Sequence, residues 1–235
     1  YDIELNREIY KVGILTLPEM EIHVGGPEQM VGRVKSYVQP YAKRGKLLAV
    51  LGGEHSISIG VVCALKEIYD DISVLYMDAH CDLRDEYMGS KFSHACSARR
   101  ICEICPIVQV GVRSISSEEM DFVRTTNLNV NFHTENEKQI PWDIDKILAG
   151  LSKRVYISID LDVFDLGLMP SVGTPEPGGL DWDSVLSLTK SVCEQREVVG
   201  FDITELCPRA GSAYSSFVAA KLAYKMIGYA TQGNS

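Results

Sequence analysis

Short apolar runs rich in Val, Ile and Tyr alternate along the chain with longer segments whose apolar positions recur at a helical period. The runs are residues 10–17, 47–51, 72–77, 107–112, 129–133, 155–161 and 198–203. Helical period marks residues 58–69, 116–125, 144–152, 182–195 and 214–229. Strands that are apolar almost throughout belong to sheets covered on both faces. Repeated strand–helix alternation predicts a parallel α/β sheet. No linker, repeat or shift in composition divides the chain, so residues 1–235 read as one domain. The connections are short except after Met77, where residues 78–94 form a long polar loop. Long loops in such domains tend to carry function.

Composition narrows the classes. A chain of 235 residues with 46% hydrophobic content can bury a core without disulfide or metal staples. Its longest apolar runs are a handful of residues, whereas a bilayer-spanning helix needs roughly 20, so no membrane partner is expected. A formal charge of −9 argues against nucleic acid and suits a cationic ligand or bound metal ions. The chain opens Tyr-Asp-Ile-Glu-Leu, unlike a secretory leader, and its seven cysteines are scattered. A reduced, cytoplasmic protein is expected. Cys102 and Cys105 form a lone CxxC pair, read as small hydrophobes in a helix rather than a zinc knuckle.

Ligands of parallel sheets bind beyond the carboxyl ends of the strands. There the chain places Glu54 and His55; Asp78, His80 and Asp82; Asp160, Asp162 and Asp165; and Asp202 with Glu205. No Gly-rich phosphate or dinucleotide motif occurs at these turns. On an extended backbone alternate residues share a face, which would aim Asp78, His80 and Asp82 together, and Asp160 with Asp162. A strand-end Asp taken alone is most often a helix cap and a lone His a structural residue. Several such clusters at separate strand ends point instead to cations, because crowded carboxylates repel one another unless protonated or neutralised. Two divalent ions would balance four aspartates, with His55 and His80 as neutral ligands. Oxygen ligands with some imidazole and no thiolate favour Mn²⁺, and two such ions activate water for hydrolysis.

These residues lie in motifs that, in this order, resemble the ureohydrolase family of arginases, agmatinases and related binuclear manganese enzymes. The motifs are GGEHS at 52–56, DAHCD at 78–82, SHA at 93–95, SIDLDVFD at 158–165, GTPEPGG at 173–179 and DITELCP at 202–208. The resemblance runs from about residue 10 to residue 229. It implies a three-layer α/β/α fold with a mostly parallel sheet, here lacking the family's N-terminal strand and the loop after it. It also implies two Mn²⁺ ions, one on His55, Asp78, Asp82 and Asp160 and the other on Asp78, His80, Asp160 and Asp162. His94 matches the family's catalytic proton shuttle, and Glu205 the carboxylate that holds the substrate guanidinium. Thr174 sits where the family places a hydroxyl near that group, and Asp82 would accept a hydrogen bond from the attacking water. A homo-oligomer, trimer or hexamer, is implied by resemblance alone.

The PEPGG turn and the loop carrying Arg84, Asp85, Glu86 and Tyr87 look like agmatinases, and an acidic rim suits a small cationic guanidino substrate. The expected reaction is agmatine and water to putrescine and urea. Arginase, guanidinobutyrase and formiminoglutamase activities, and a catalytically silent ligand-binding relative, are the alternatives. Three positions depart from the family pattern. Glu54 stands where Asp is common and would shift His55. Cys81 and Cys96 replace frequent Thr, with Cys81 expected near the metals. The stretch after Asp165 lacks the usual Asp-Pro.

Overall fold

The computed structural model describes residues 1–133 and 143–232. Its strands are β1 (Leu48–Leu51), β2 (Ile72–Met77), β3 (Ile107–Val112), β4 (Asn129–Phe132), β5 (Arg154–Asp160) and β6 (Glu197–Thr204). Its helices are α1 (Pro27–Ala42), α2 (Ile57–Lys66), α3 (Ser97–Cys102), α4 (Ser117–Thr126), α5 (Ile144–Ala149), α6 (Trp182–Gln195) and α7 (Tyr214–Ala230). The six described strands form one sheet in the order β1-β6-β5-β2-β3-β4, with every pairing parallel. From β2 the chain winds outward through β3 to β4. It then returns to β5, beside β2, and winds the other way through β6. The order therefore reverses between β2 and β5, and a crevice opens there beyond the strands' carboxyl ends.

Alternation along β2 shows how the layers form. Ile72, Val74 and Tyr76 pack with residues of α1 to α4, whereas Leu75 and Met77 pack with residues of α5 to α7. Period-2 side chains on a sheet buried on both sides give the three layers that the apolar strands predict. Local signals set the helix ends. Ser116 and Glu119 make a reciprocal capping box on α4, Asp181 caps α6 through Ser184 N, and Asn127 closes α4 in the left-handed conformation. No described helix is long and apolar enough to cross a membrane.

The expected strand at residues 10–17 does not form. Ile9–Val12 make a 3-10 turn, and Ile14 and Leu15 are exposed. An apolar run becomes a strand only where a neighbour completes its backbone hydrogen bonds. Here the N-terminal residues grip α7 instead. Arg7 donates to Gly228 O and to Thr231, while Lys225 is held by Asp2 and Glu4. Two helices, α1 and α3, lie outside the segments of helical period. Pro27 at the first turn with Val31, Val34, Val38 and Ala42 buried along one face is the signal that marks α1. Cys102 ends α3 and Cys105 lies buried just before β3; both thiols are free.

Candidate metal centre

The site begins where three strands stop. β2 ends at Met77, and Asp78 N still donates to Val110 O of β3. β5 ends on Asp160, and the loop after β1 folds back over β6 through Gly52 N to Ile203 O and Glu205 N to Gly53 O. A Cβ on Gly52 would lie 2.0 Å from Ile57 Cδ1, the tip of a side chain that would have to move aside. The loop delivers His55, fully buried, to the crevice between β2 and β5.

His55 Nδ1 lies 3.0 Å from Asp78 Oδ2, 3.1 Å from Asp160 Oδ2 and 3.7 Å from Asp82 Oδ2. His80 Nδ1 lies 2.9 Å from Asp162 Oδ2 and 3.6 Å from Asp78 Oδ1. Two groups, His55–Asp78–Asp82 and Asp78–His80–Asp162, each place their ligand atoms within 4.8 Å of one another. Asp78 belongs to both. All six residues expected to gather at the strand ends do so, but not by strand alternation. Asp82 reaches the cluster through a left-handed backbone, φ 51°, and Asp162 through the 3-10 turn Leu161–Val163.

The surroundings prepare these atoms to hold cations. His55 Nε2 is 2.9 Å from Ser158 Oγ, which donates to Asp202 Oδ1 at 2.8 Å. Asp202 also accepts from Ser58, Tyr156 and Ile159 N, so it acts as a buried acceptor behind the site. In the neutral tautomer with Nε2–H turned to Ser158, His55 would offer the Nδ1 lone pair to a cation held among the carboxylates. Tyr76 OH donates to Asp82 Oδ2 at 2.8 Å, Ala79 N to Asp162 Oδ1 and Asp162 N to Asp160 Oδ1. Asp78 Oδ2 is buried without a hydrogen-bond partner. A lone pair and several carboxylate oxygens converging on one dry spot fit a divalent ion, because such oxygens are strongly unfavourable when buried unpaired.

Proton affinities follow the same crowding. Burial pushes the Asp82 carboxyl up, and Asp78 adds to it; burial pushes up Asp160, with Asp162 and Asp78 adding. Burial would lower both imidazoles, but Asp160 and Asp78 hold His55 well above its ordinary value, and Asp162 and Asp78 push His80 up to about 11. Asp78 stays low against burial because His55 and His80 face it.

The other expected residues stand around this cluster. Glu205, φ 61°, accepts from His55 N at 2.8 Å through Oε1. Thr174 Oγ1 donates to Asp162 Oδ2 at 3.3 Å. His94 stands at the rim, its Nδ1 3.4 Å from Glu54 Oε1 and its ring edge-on to Tyr87 at 5.8 Å. Glu54 therefore turns toward His94, whose N–H it also accepts at 2.6 Å, rather than toward the His55 ring. Asp165 caps its own turn through Gly167 N. Cys81 is buried in the core, with Sγ 3.7 Å from Gln109 Oε1 and its thiol pushed up by burial. Tyr76 and Ser158 were given no role by motif chemistry, and Asp202, expected only as a strand-end acid, lies behind the site rather than in it. The alternate spacing of Tyr76 before Asp78 and of Ser158 before Asp160 is the signal that would have found them.

Two buried His/Asp groups that share Asp78, at the switch point of a parallel α/β/α sheet, have the make-up of a metal-dependent hydrolase site. Comparison with known proteins narrows this further. Residues 1–228 match the arginase family. An N(1)-aminopropylagmatine ureohydrolase of Synechocystis sp. is 39% identical over 86% of this chain and 67% of its own length. An agmatinase of Pyrococcus horikoshii is 37% identical over 97% of the chain and 77% of its own length. The crystal structure of the agmatine ureohydrolase of Thermoplasma volcanium superposes with a TM-score of 0.87 at 34% identity, covering 99% of this chain and 78% of that one. The chain belongs to the arginase family, the ureohydrolases.

Proposed function

We propose that the protein hydrolyses the guanidinium group of agmatine, giving putrescine and urea, with two Mn²⁺ ions held by His55, Asp78, Asp82 and Asp160 and by Asp78, His80, Asp160 and Asp162. The observation that carries this reading is Asp78, shared by two His/Asp groups in one buried crevice beside Glu205. N(1)-aminopropylagmatine is the second reading, favoured by relatives of that name at 39% and 37% identity.

Bound divalent ions supply a water acidified to near-neutral pH and an electrophilic pull on the substrate. The residues supply the rest. Tyr76 occupies Asp82 Oδ2, leaving Oδ1 to accept a hydrogen from the attacking water. His55 N holds Glu205 Oε1, while Oε2 faces Gly173, where a Cβ would come within 3.2 Å. The missing side chain at 173 leaves room for a planar guanidinium to donate charge-assisted hydrogen bonds to Glu205. Glu54 pairs with Nδ1 of His94 and favours its protonated form, so Nε2 carries the proton that the leaving amine takes as the C–N bond breaks.

Urea release from agmatine, N(1)-aminopropylagmatine, arginine and 4-guanidinobutyrate, with and without added Mn²⁺, tests the reading. The expected result is Mn²⁺-dependent release from one or both agmatine compounds. Release from arginine alone overturns the substrate. No release from any of the four overturns hydrolysis and favours a silent relative.

A further inference from the structure

The first residue beyond β3 is Arg113, and all its side-chain hydrogen bonds go to main-chain carbonyls. Nη2 donates to Asp162 O at 2.7 Å and Glu176 O at 2.9 Å, and Nε to Pro177 O at 3.0 Å. Longer bonds reach Gly111, Val163 and Phe164. One guanidinium thus joins the 3-10 turn that carries Asp162 to the turn that carries Thr174. The main chain at the same place binds a third segment. Arg113 N and Ser114 N both donate to Ala79 O, and Ser114 O accepts from Cys81 N. These bonds bracket His80.

Two backbone features bring the pieces together. The β3–β4 register shifts between Val110 and Val112, and the intervening Gly111 has φ 95°. A Cβ on Gly111 would lie 2.6 Å from Val163 Cγ2, so the turn bearing Asp162 packs directly on this bulge. Bulges beside sites re-aim the following side chains, and here the next long side chain is Arg113.

We infer that Arg113 is the positioning residue for the Asp78–His80–Asp162 half of the centre. Asp162 is held at its carbonyl by Arg113 and at Oδ1 by Ala79 N, which leaves Oδ2 facing His80 at 2.9 Å. The other half, His55–Asp78–Asp82, takes its support from Tyr76 and Ser158 and receives no bond from Arg113. Removing the guanidinium therefore affects one metal position and spares the other. This inference rests on the metal reading proposed above.

The control is another arginine that staples carbonyls far from the site. Arg196, just before β6, donates to the carbonyls of Leu148, Leu151 and Gln195 at the opposite ends of the strands. Metal-stripped wild type, Arg113→Met, Arg113→Lys and Arg196→Met are titrated with Mn²⁺ by calorimetry and by electron paramagnetic resonance, with thermal unfolding of each recorded alongside. Loss of a supporting partner typically costs about 10–100-fold in metal affinity. Arg113→Met is expected to lose that factor at one of two sites while the other stays within about threefold. Its spectrum at limiting metal should shift from a coupled pair toward isolated Mn²⁺. Arg113→Lys, which keeps the charge and some donors, is expected to fall between, and carries the test if the Met variant does not fold. Arg196→Met is expected to lower the melting temperature and leave both affinities unchanged. Two unchanged affinities in the Arg113 variants, or an equal loss at both sites, overturn the inference and leave the metal reading standing. Failure of the wild type to bind Mn²⁺ overturns both.

Discussion

Glu54 shows how far one methylene group reaches. Its carboxylate lies next to His55 in sequence, yet it accepts both the main-chain N–H and the ring of His94, forty residues on, and also takes Ser56 Oγ. The pair with Glu54 raises the His94 pKa against burial; burial would raise Glu54, but His94 and Ser56 together lower it. The His94 contribution to stability is complete below its ordinary 6.5 and is lost as pH rises through its raised value. The Glu54 contribution is present above 4.5 and is lost as pH falls through its lowered value. Both hold between pH 4.5 and 6.5. Each side chain is over two-fifths exposed, so the energy is small and the titration itself is the useful readout. In Glu54→Gln, the His94 pKa followed by NMR is expected to fall toward 6.5. An unchanged value would place the source of the shift elsewhere. The motifs made His94 legible as a proton carrier, but its partner was not legible, since Glu54 lies forty residues away and meets it only through the fold.

At the scale of elements, α1 and α2 meet closely enough that one atom matters. A Cβ at Gly60 in α2 would come 2.5 Å from Val31 O and 2.9 Å from Val34 Cβ, whereas Gly32 in α1 has nothing within 4 Å. Both glycines sit inside helices, where Ala is intrinsically better by roughly 0.5–1 kcal/mol. Gly32→Ala is expected to stabilise by about that amount. Gly60→Ala is expected to destabilise by about 1–3 kcal/mol, because the clash is with backbone that cannot yield. Denaturant midpoints for the two variants check the opposite signs. Periodicity found α4, α5 and α6 because each has a polar face and a buried stripe, whereas α2 is apolar and covered almost all round. It also marked residues 10–17, which have apolar content but no strand partner; only Ile9, just before them, is buried, against Gly228 of α7.

The molecule as a whole gathers four buried carboxyl groups at one end of the sheet. Asp78, Asp82, Asp160 and Asp162 are buried there within a chain already at −9. An ion that binds only the folded state stabilises it, by about 2.7 kcal/mol at a hundred times its dissociation constant. For a chain of this size that corresponds to a rise of roughly 5–10 °C in melting temperature. Mn²⁺ added to chelator-treated protein is expected to produce such a rise, and differential scanning calorimetry would show it. A melting temperature indifferent to Mn²⁺ would mean that protons alone neutralise the cluster.

Sequence alone determined the alternation of strands and helices and the identity of the acids and imidazoles at the strand ends, because periodicity and motif are properties of neighbouring residues. It also carried the resemblance, and with it the chemistry expected of His94 and Glu205. Tertiary structure decided which of those groups meet. Asp82 and Asp162 arrive through a left-handed residue and a 3-10 turn rather than by strand parity. Tyr76 orients Asp82, Ser158 backed by Asp202 orients His55, and Arg113 ties three loops that lie apart along the chain. Those contacts depend on the order in which strands lie side by side, which no local pattern encodes.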